Sequence, residues 1–446
     1  MLDFIVELIQ TPAIILGLVA LVGLLLQKEK ASVVFSGTVK TALGLLVLTA
    51  GTGLIVEEIL PFVDLFAEVF NLDGFATSSE AVVGAIQGSV PAIASTSAVI
   101  LGVGFLVNIL VARFTPLKYI FLTGHMIWIL SVAIASSLYV AGFSNTMIII
   151  VGSILQGLLM ALLPAIAQPM VRKVTGNDDF AMAHLTTVGT VVSGYVGGLF
   201  GDKSKDAEEM KLPKSLEFFK DTAISVAIVM GFFYLLIVLL AGPETVAEHA
   251  GETNYILFGL LKAMGFTAGI LIMLQGVRMF LGELVPAFQG ISQRLVPGAI
   301  PALDVPVLFA FAPTSLMIGF ITAVIGMIVA MFTSSLLFGV VPLVSIIGAF
   351  FTGGVAGIFG NAKGGLRGAI IGGFVYGFLL IFGSGFLFTI FDYAAYGAGG
   401  VGHDTIDVMV IMTALKQPYV GIVLIIIAAI VTGVLRQKKL NKVEND

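Results

Sequence analysis

The sequence predicts an all-α polytopic membrane protein with about 11 transmembrane helices, arranged as two inverted five-helix repeats with two re-entrant hairpins. Three observations lead there. Of 446 residues, 58% are apolar and only 11% are charged, against about 25% charged in a soluble domain. Apolar runs of roughly 20 residues, the length that crosses a hydrocarbon core, recur along the whole chain. Lys and Arg fall almost wholly between alternate runs. A soluble enzyme, a disordered chain and a collagen-like chain are thereby excluded. The net charge of −5 gives no basic surface for nucleic acid. The absence of cysteine excludes disulfides, thiolate metal sites and a cysteine nucleophile or phosphocysteine among these residues.

The expected spans lie near 5–27, 38–60, 91–113, 119–142, 145–168, 221–242, 254–278, 312–333, 336–358, 366–391 and 418–436. Most are rich in Gly, Ala, Ser and Thr, which let membrane helices approach closely. The first run is not expected to be a cleavable signal, since Asp3 and Glu7 precede it and Lys28 and Lys30 follow it. With the N-terminus outside and the C-terminus cytoplasmic, 20 of the 22 basic residues fall on the cytoplasmic side, all but Lys262 and Lys416. This is the arrangement of a multi-pass protein of a bacterial inner (plasma) membrane.

Self-similarity divides the chain further. Gly51 to Phe62 matches Gly276 to Ala287 at an offset of 225, with Glu58 and Pro61 over Glu283 and Pro286, and Gly44 and Gly269 keep that offset. Ala94 to Ser97 matches Ala312 to Ser315 at an offset of 218. Five spans per unit is an odd number, so the second copy enters the membrane from the opposite side, as in many secondary transporters. The expected organisation is a first repeat over 1–170, a cytoplasmic linker over 171–220, a second repeat over 221–391, and a final helix and tail over 392–446. The segments of about 61–90 and 286–311 each follow Glu-x-x-Pro and are interrupted, the first at Asp73 and Gly74 and the second by Pro297, Gly298, Pro301 and Pro306. Non-helical backbone is tolerated at membrane depth only where protein or a cavity surrounds it, so both are read as re-entrant hairpins.

Polar residues within apolar surroundings are the candidate solute-binding groups. Asp304 stands in Ala-Leu-Asp-Val-Pro, and Ser79 lies opposite it in the repeat. His125 follows Thr123 in Leu-Thr-Gly-His, and His184 precedes Thr186 and Thr187. Imidazole with neighbouring hydroxyls suits a polyhydroxylated or carbonyl-bearing solute. His249 and His403 are assigned to solvated outer loops, and Glu283 is expected to pair with Arg278 or Arg294. No nucleotide loop, metal-ligand spacing or cofactor motif is present in the sequence.

Several stretches together carry a family likeness: Phe35-Ser-Gly-Thr-Val-Lys-Thr41-Ala-Leu-Gly, Ala50-Gly-Thr-Gly, Leu122-Thr-Gly-His125, Gln275-Gly-Val-Arg-Met-Phe, and Gly290 to Ala299 followed by Asp304 and Phe311-Ala-Pro. The chain resembles the ascorbate-type membrane component (enzyme IIC) of the phosphoenolpyruvate-dependent sugar phosphotransferase system. The resemblance implies a homodimeric permease, with a core domain and a dimer-forming domain, that moves L-ascorbate or a related sugar acid or polyol inward. Phosphorylation would come from separate IIB and IIA proteins, with no phosphorylated residue on this chain. The tail after Arg436 is expected to be too short for a further domain. The resemblance supports His125, His184 and Asp304 as site residues, with Ser79 beside them. Where it leads one to expect glutamines near the ligand, this chain has Ile129 and Leu185. An ion-coupled symporter and a non-transporting receptor or scaffold are the alternatives.

Overall fold

The computed structural model describes residues 12–70, 74–75, 77–210, 222–413 and 418–445. Asp3, Glu7, Asp73, Lys211, Lys214, Lys220 and Lys416, which entered the charge and hairpin arguments, lie outside the described residues. The protein is an all-α polytopic membrane protein: among the described residues eight helices are long and apolar enough to cross a membrane, and three apolar helices are shorter.

Four helices form one layer: α1 (Pro12–Leu26), α2 (Ala31–Val69), α8 (Thr222–Ala250) and α9 (Tyr255–Arg294), with α8 broken at Gly242, where φ is 78°. Lipid tails are as apolar as leucine, so helices associate in a membrane through close contact rather than through escape from water. Glycine permits that contact between α2 and α9. A Cβ on Gly51 would overlap the backbone of Met273, and one on Gly276 the backbone of Leu48. Contact positions descend on α9 as they ascend on α2, so the pair is antiparallel. Lys40 Nζ lies 3.1 Å from Glu283, and Lys262 Nζ 3.0 Å from Glu58. Glu283 therefore pairs across the layer with Lys40 rather than with Arg278 or Arg294, because antiparallel packing brings α2 closer than the next turns of its own helix.

The second layer holds α3 (Ser79–Ser89), α4 (Pro91–Phe114), α5 (Gly124–Val140), α6 (Asn145–Thr175), α7 (Thr187–Phe200), α10 (Pro313–Phe338), α11 (Ile346–Ile390), α12 (Ile406–Thr413) and α13 (Pro418–Asn445). The expected span at 336–358 is split, its first residues ending α10 at Phe338 and its part from Ile346 joining the span expected at 366–391 in one run, α11, which holds a π turn at Ala349–Gly353 and is broken at Gly364–Gly365. Gly365 has φ of 58°, which a side chain disfavours. Loop 202–207 fastens this break: Asp202 N donates to Gly364 O at 2.7 Å, Leu366 N to Lys205 O at 2.7 Å, and Asn361 Nδ2 to Asp206 at 2.8 Å. The stretch expected as a linker is thus partly core, since α6 ends at Thr175 and α7 lies against α11 within it. At 14 residues α7 is too short to register as a span.

The prolines expected to open the interrupted segments lie inside helices: Pro61 in the 39 residues of α2 and Pro286 in the 40 of α9. Both helices run eight residues past the proline, so the broken segments begin later than the sequence pattern indicates. After α9 the chain forms β3 (Ile300–Leu303) and a 3-10 turn, Val305–Phe311. Strand β3 sits between β1 (Tyr119–Phe121) and β2 (Ala181–Met182), parallel to both, with Tyr119 beside Ile300 and Ala181 beside Ala302. The span expected from 119 therefore begins as a strand. A shorter parallel pairing lies beyond the end of α2. Phe75 bridges Pro342 in parallel, and His403 N donates to Thr77 O at 3.1 Å. Helices α4 and α10 both start on proline, Pro91 and Pro313. The sequence match of Ala94 with Ala312 is thus about one helical turn out of step with the helix starts.

Candidate functional site

Parallel strands leave their next residues at one level, and the three strands β1, β2 and β3 deliver three polar groups to the starts of three helical segments. Thr123 is the N-cap position of α5 and donates through Oγ1 to Ala183 O at 2.9 Å, tying the ends of β1 and β2 together. Asp304 caps the 3-10 turn, its Oδ1 accepting from Val305 N at 2.7 Å. His125, in the first turn of α5, brings Nε2 to 3.7 Å from Asp304 Oδ2. With side chains 46% and 28% exposed, these two face an opening.

Behind them lies a second, buried set. His184 Nε2 stands 3.8 Å from Asp404 Oδ1, and His403 Nε2 stands 3.4 Å from the same oxygen. The three side chains are 4%, 6% and 8% exposed. His403 and Asp404 open a 3-10 turn, His403–Thr405, held against the start of α3. Asp404 N donates to Ser79 Oγ at 2.9 Å, and His403 Nδ1 donates to Thr77 O. His403 is therefore not in a solvated loop: its carbonyl partner and a buried carboxylate pull it into the fold.

The structure brings His125, His184, Asp304 and Ser79 into one region but gives the threonines inward duties. Thr186 Oγ1 lies 2.7 Å from His184 Nδ1, and Thr187 Oγ1 donates to His184 O at 2.5 Å. Both hydroxyls orient His184 and the first turn of α7. Asp407 secures the same turn, accepting from Gly189 N at 2.9 Å. Ile129 and Leu185 are fully buried in apolar packing. On the other flank, the chain's single tryptophan, Trp128, donates from Nε1 to Gln87 Oε1 at 2.9 Å, and Gln87 Nε2 donates to Ser97 at 2.9 Å. This chain of bonds links α5, α3 and α4.

Asp404, His403 and Gln87 were missed by sequence reasoning. The first two had a visible signal, an adjacent imidazole and carboxylate between two apolar runs, in Gly-Gly-Val-Gly-His403-Asp404-Thr. Chemically, the arrangement offers carboxylate acceptors and imidazole donors to a small polar solute. Among the described residues no group of three His, Cys, Asp or Glu is set to hold a metal ion.

Comparison with known proteins fits these features. A family model described as "PTS system sugar-specific permease component" matches residues 7–408. The "Ascorbate-specific PTS system EIIC component" of Mycoplasma pneumoniae is 28% identical over 425 residues, spanning 84% of this chain and 64% of that protein. The match thus covers less than two thirds of the relative's length.

Proposed function

We propose, from the premise that the chain belongs to the family of sugar-specific permease components of the phosphotransferase system, that it carries L-ascorbate or a related small sugar acid or polyol inward, coupled to phosphorylation by separate IIB and IIA proteins. The observation that carries this reading is the half-exposed His125–Asp304 pair, with His184 behind it, where strand ends meet helix starts within the apolar bundle. Asp304 accepts hydroxyls of the solute, and His125 and His184 hydrogen-bond its oxygens. With no cysteine in this chain, a phosphoryl group carried on cysteine must come from elsewhere.

The same reading takes the chain as two inverted repeats within about 11 crossings, with α1, α2, α8 and α9 as the dimer-forming scaffold against which the other layer shifts. Support comes from the antiparallel pairing of α2 with α9 and from the paired strand arrangements, in which Phe75 and Ile300 are 225 residues apart, and their partners Pro342 and Tyr119 are 223 apart. Orientation, with the C-terminus cytoplasmic, is supported by charge. At the start of β1, Arg436 lies 4.3 Å over the Tyr119 ring and Lys118 Nζ donates to Arg113 O at 3.0 Å. Burial, then Arg113 and Arg436, hold the Lys118 amine below its ordinary value. Such a cationic edge suits an anionic phosphoryl donor. The cleft formed by α2 and α8 is instead lined by Glu68, Glu244 and Glu248.

Uptake in cells lacking the cognate IIB tests the coupling. Loss of accumulation of phosphorylated solute is expected; undiminished accumulation of unmodified solute, abolished by a protonophore, would establish ion-coupled symport instead.

A further inference from the structure

The roles given so far leave the buried His403–Asp404 pair unused, yet its hydrogen bonds define where its protons sit. His403 Nδ1 meets the carbonyl oxygen of Thr77. A carbonyl only accepts, so Nδ1 carries a hydrogen. In a neutral ring Nε2 would then be a lone pair, yet it stands 3.4 Å from Asp404 Oδ1. Two unprotonated groups facing each other away from water repel, so this contact calls for a proton on one of the two. The carboxylate's other neighbours are donors. Ser79 Oγ already accepts from Asp404 N at 2.9 Å, which leaves its hydroxyl hydrogen free to donate. His184 Nδ1 accepts from Thr186 N at 3.3 Å, which places the His184 hydrogen on Nε2, facing Asp404 across 3.8 Å.

We infer that His403 is an imidazolium bound to an ionised Asp404, and that Asp404 is a positioning residue that holds His184 as its Nε2–H tautomer at the wall of the solute site. The 3.8 Å gap is too long for a direct hydrogen bond. It leaves His184 Nε2–H free to donate to a solute oxygen while a solute hydroxyl donates to Asp404. That last step rests on the transport reading; the protonation states do not. The remaining titratable groups near the pair are His125 and Asp304, which face each other across the opening, and Asp407 and Tyr376. Asp407 accepts from Gly189 N at 2.9 Å, at the first turn of α7.

The chain has only four histidines, so selective 15N-histidine labelling of the full chain in lipid nanodiscs at neutral pH resolves four rings. His125→Gln, His184→Gln and His249→Gln assign them, with His403 by elimination. The expected spectrum has both His403 nitrogens protonated, and His184 with a lone-pair Nδ1 and a protonated Nε2. A lone-pair signal at His403 Nε2 in the unmodified protein overturns the inference without any variant at the pair. In Asp404→Asn, His403 Nε2 is expected to lose its proton and His184 to mix tautomers, while KM for uptake rises about tenfold or more and Asp404→Glu restores part of the loss. An unchanged His184 spectrum in Asp404→Asn overturns the positioning role. Failure of the transport reading alone would leave all the spectra as expected and remove only the uptake effect.

Discussion

On one side of the site, Ile300–Leu303 lies between Tyr119–Phe121 and Ala181–Met182; on the other, Phe75 and Thr77 lie between Pro342 and His403. The backbone device is shared, while the side chains set upon it differ. Asp304 stands on its own segment and meets His125 at a half-exposed opening. At the position 225 residues earlier stands Ser79, whose hydroxyl accepts from the backbone N of Asp404, a residue of another segment whose carboxylate is buried. Backbone N–H and C=O groups at membrane depth must find partners whatever the side chains are, so the ladder is the constrained part. Side chains upon it are free to diverge, one side leaving Asp304 partly exposed beside His125 and the other burying Asp404 between His184 and His403.

The comparison is broken most severely by Asp404→Asn. Removing one partner of a buried ion pair costs about 3–5 kcal/mol, here because His403 must give up its proton, so thermal unfolding in detergent should shift strongly downward. Adding His403→Gln should recover part of that loss, since the two side chains are coupled. Asp304→Asn, on the open side, should leave the protein folded but reduce uptake at low solute roughly ten- to hundredfold, for about 1.5–3 kcal/mol of lost charged hydrogen bonding; wild-type uptake with normal expression would remove Asp304 from the site. If α2 and α9 are equivalent partners, Gly51→Ala and Gly276→Ala should each cost about 1–3 kcal/mol by overpacking, and a large difference between them would argue against equivalence. The smallest effects belong to the ion pairs of that layer. Lys262→Ala should exceed Lys40→Ala, both within about 1 kcal/mol, because the Glu58–Lys262 pair is less exposed than the Lys40–Glu283 pair.

Most long helices were legible in the sequence because apolar length and charge placement are local properties. The strong glycine pattern likewise marked α2 and α9 before any contact was known. Helix ends were less legible. Pro61 and Pro286 read as the starts of interrupted segments, yet a membrane helix tolerates proline where neighbouring groups satisfy the freed carbonyl. Helix α7 escaped notice because a short apolar helix need not span when other protein surrounds it. In the site, His125, His184 and Asp304 stood out as polar residues in apolar context. Asp404 did not, since its importance depends on Thr77 and Ser79, more than 320 residues earlier, closing over it. No local pattern encodes that meeting.

Trp128, the only indole in the chain, lies three residues beyond His125 on α5, and its ring nitrogen is bonded to Gln87 on α3. Indole emission responds to the polarity and hydrogen bonding of its surroundings. The intrinsic fluorescence of this protein is therefore the optical signal of one position, at the seam between α3 and α5. Any rearrangement that separates those two helices should appear as a change in emission wavelength, with no label attached and no background from a second tryptophan.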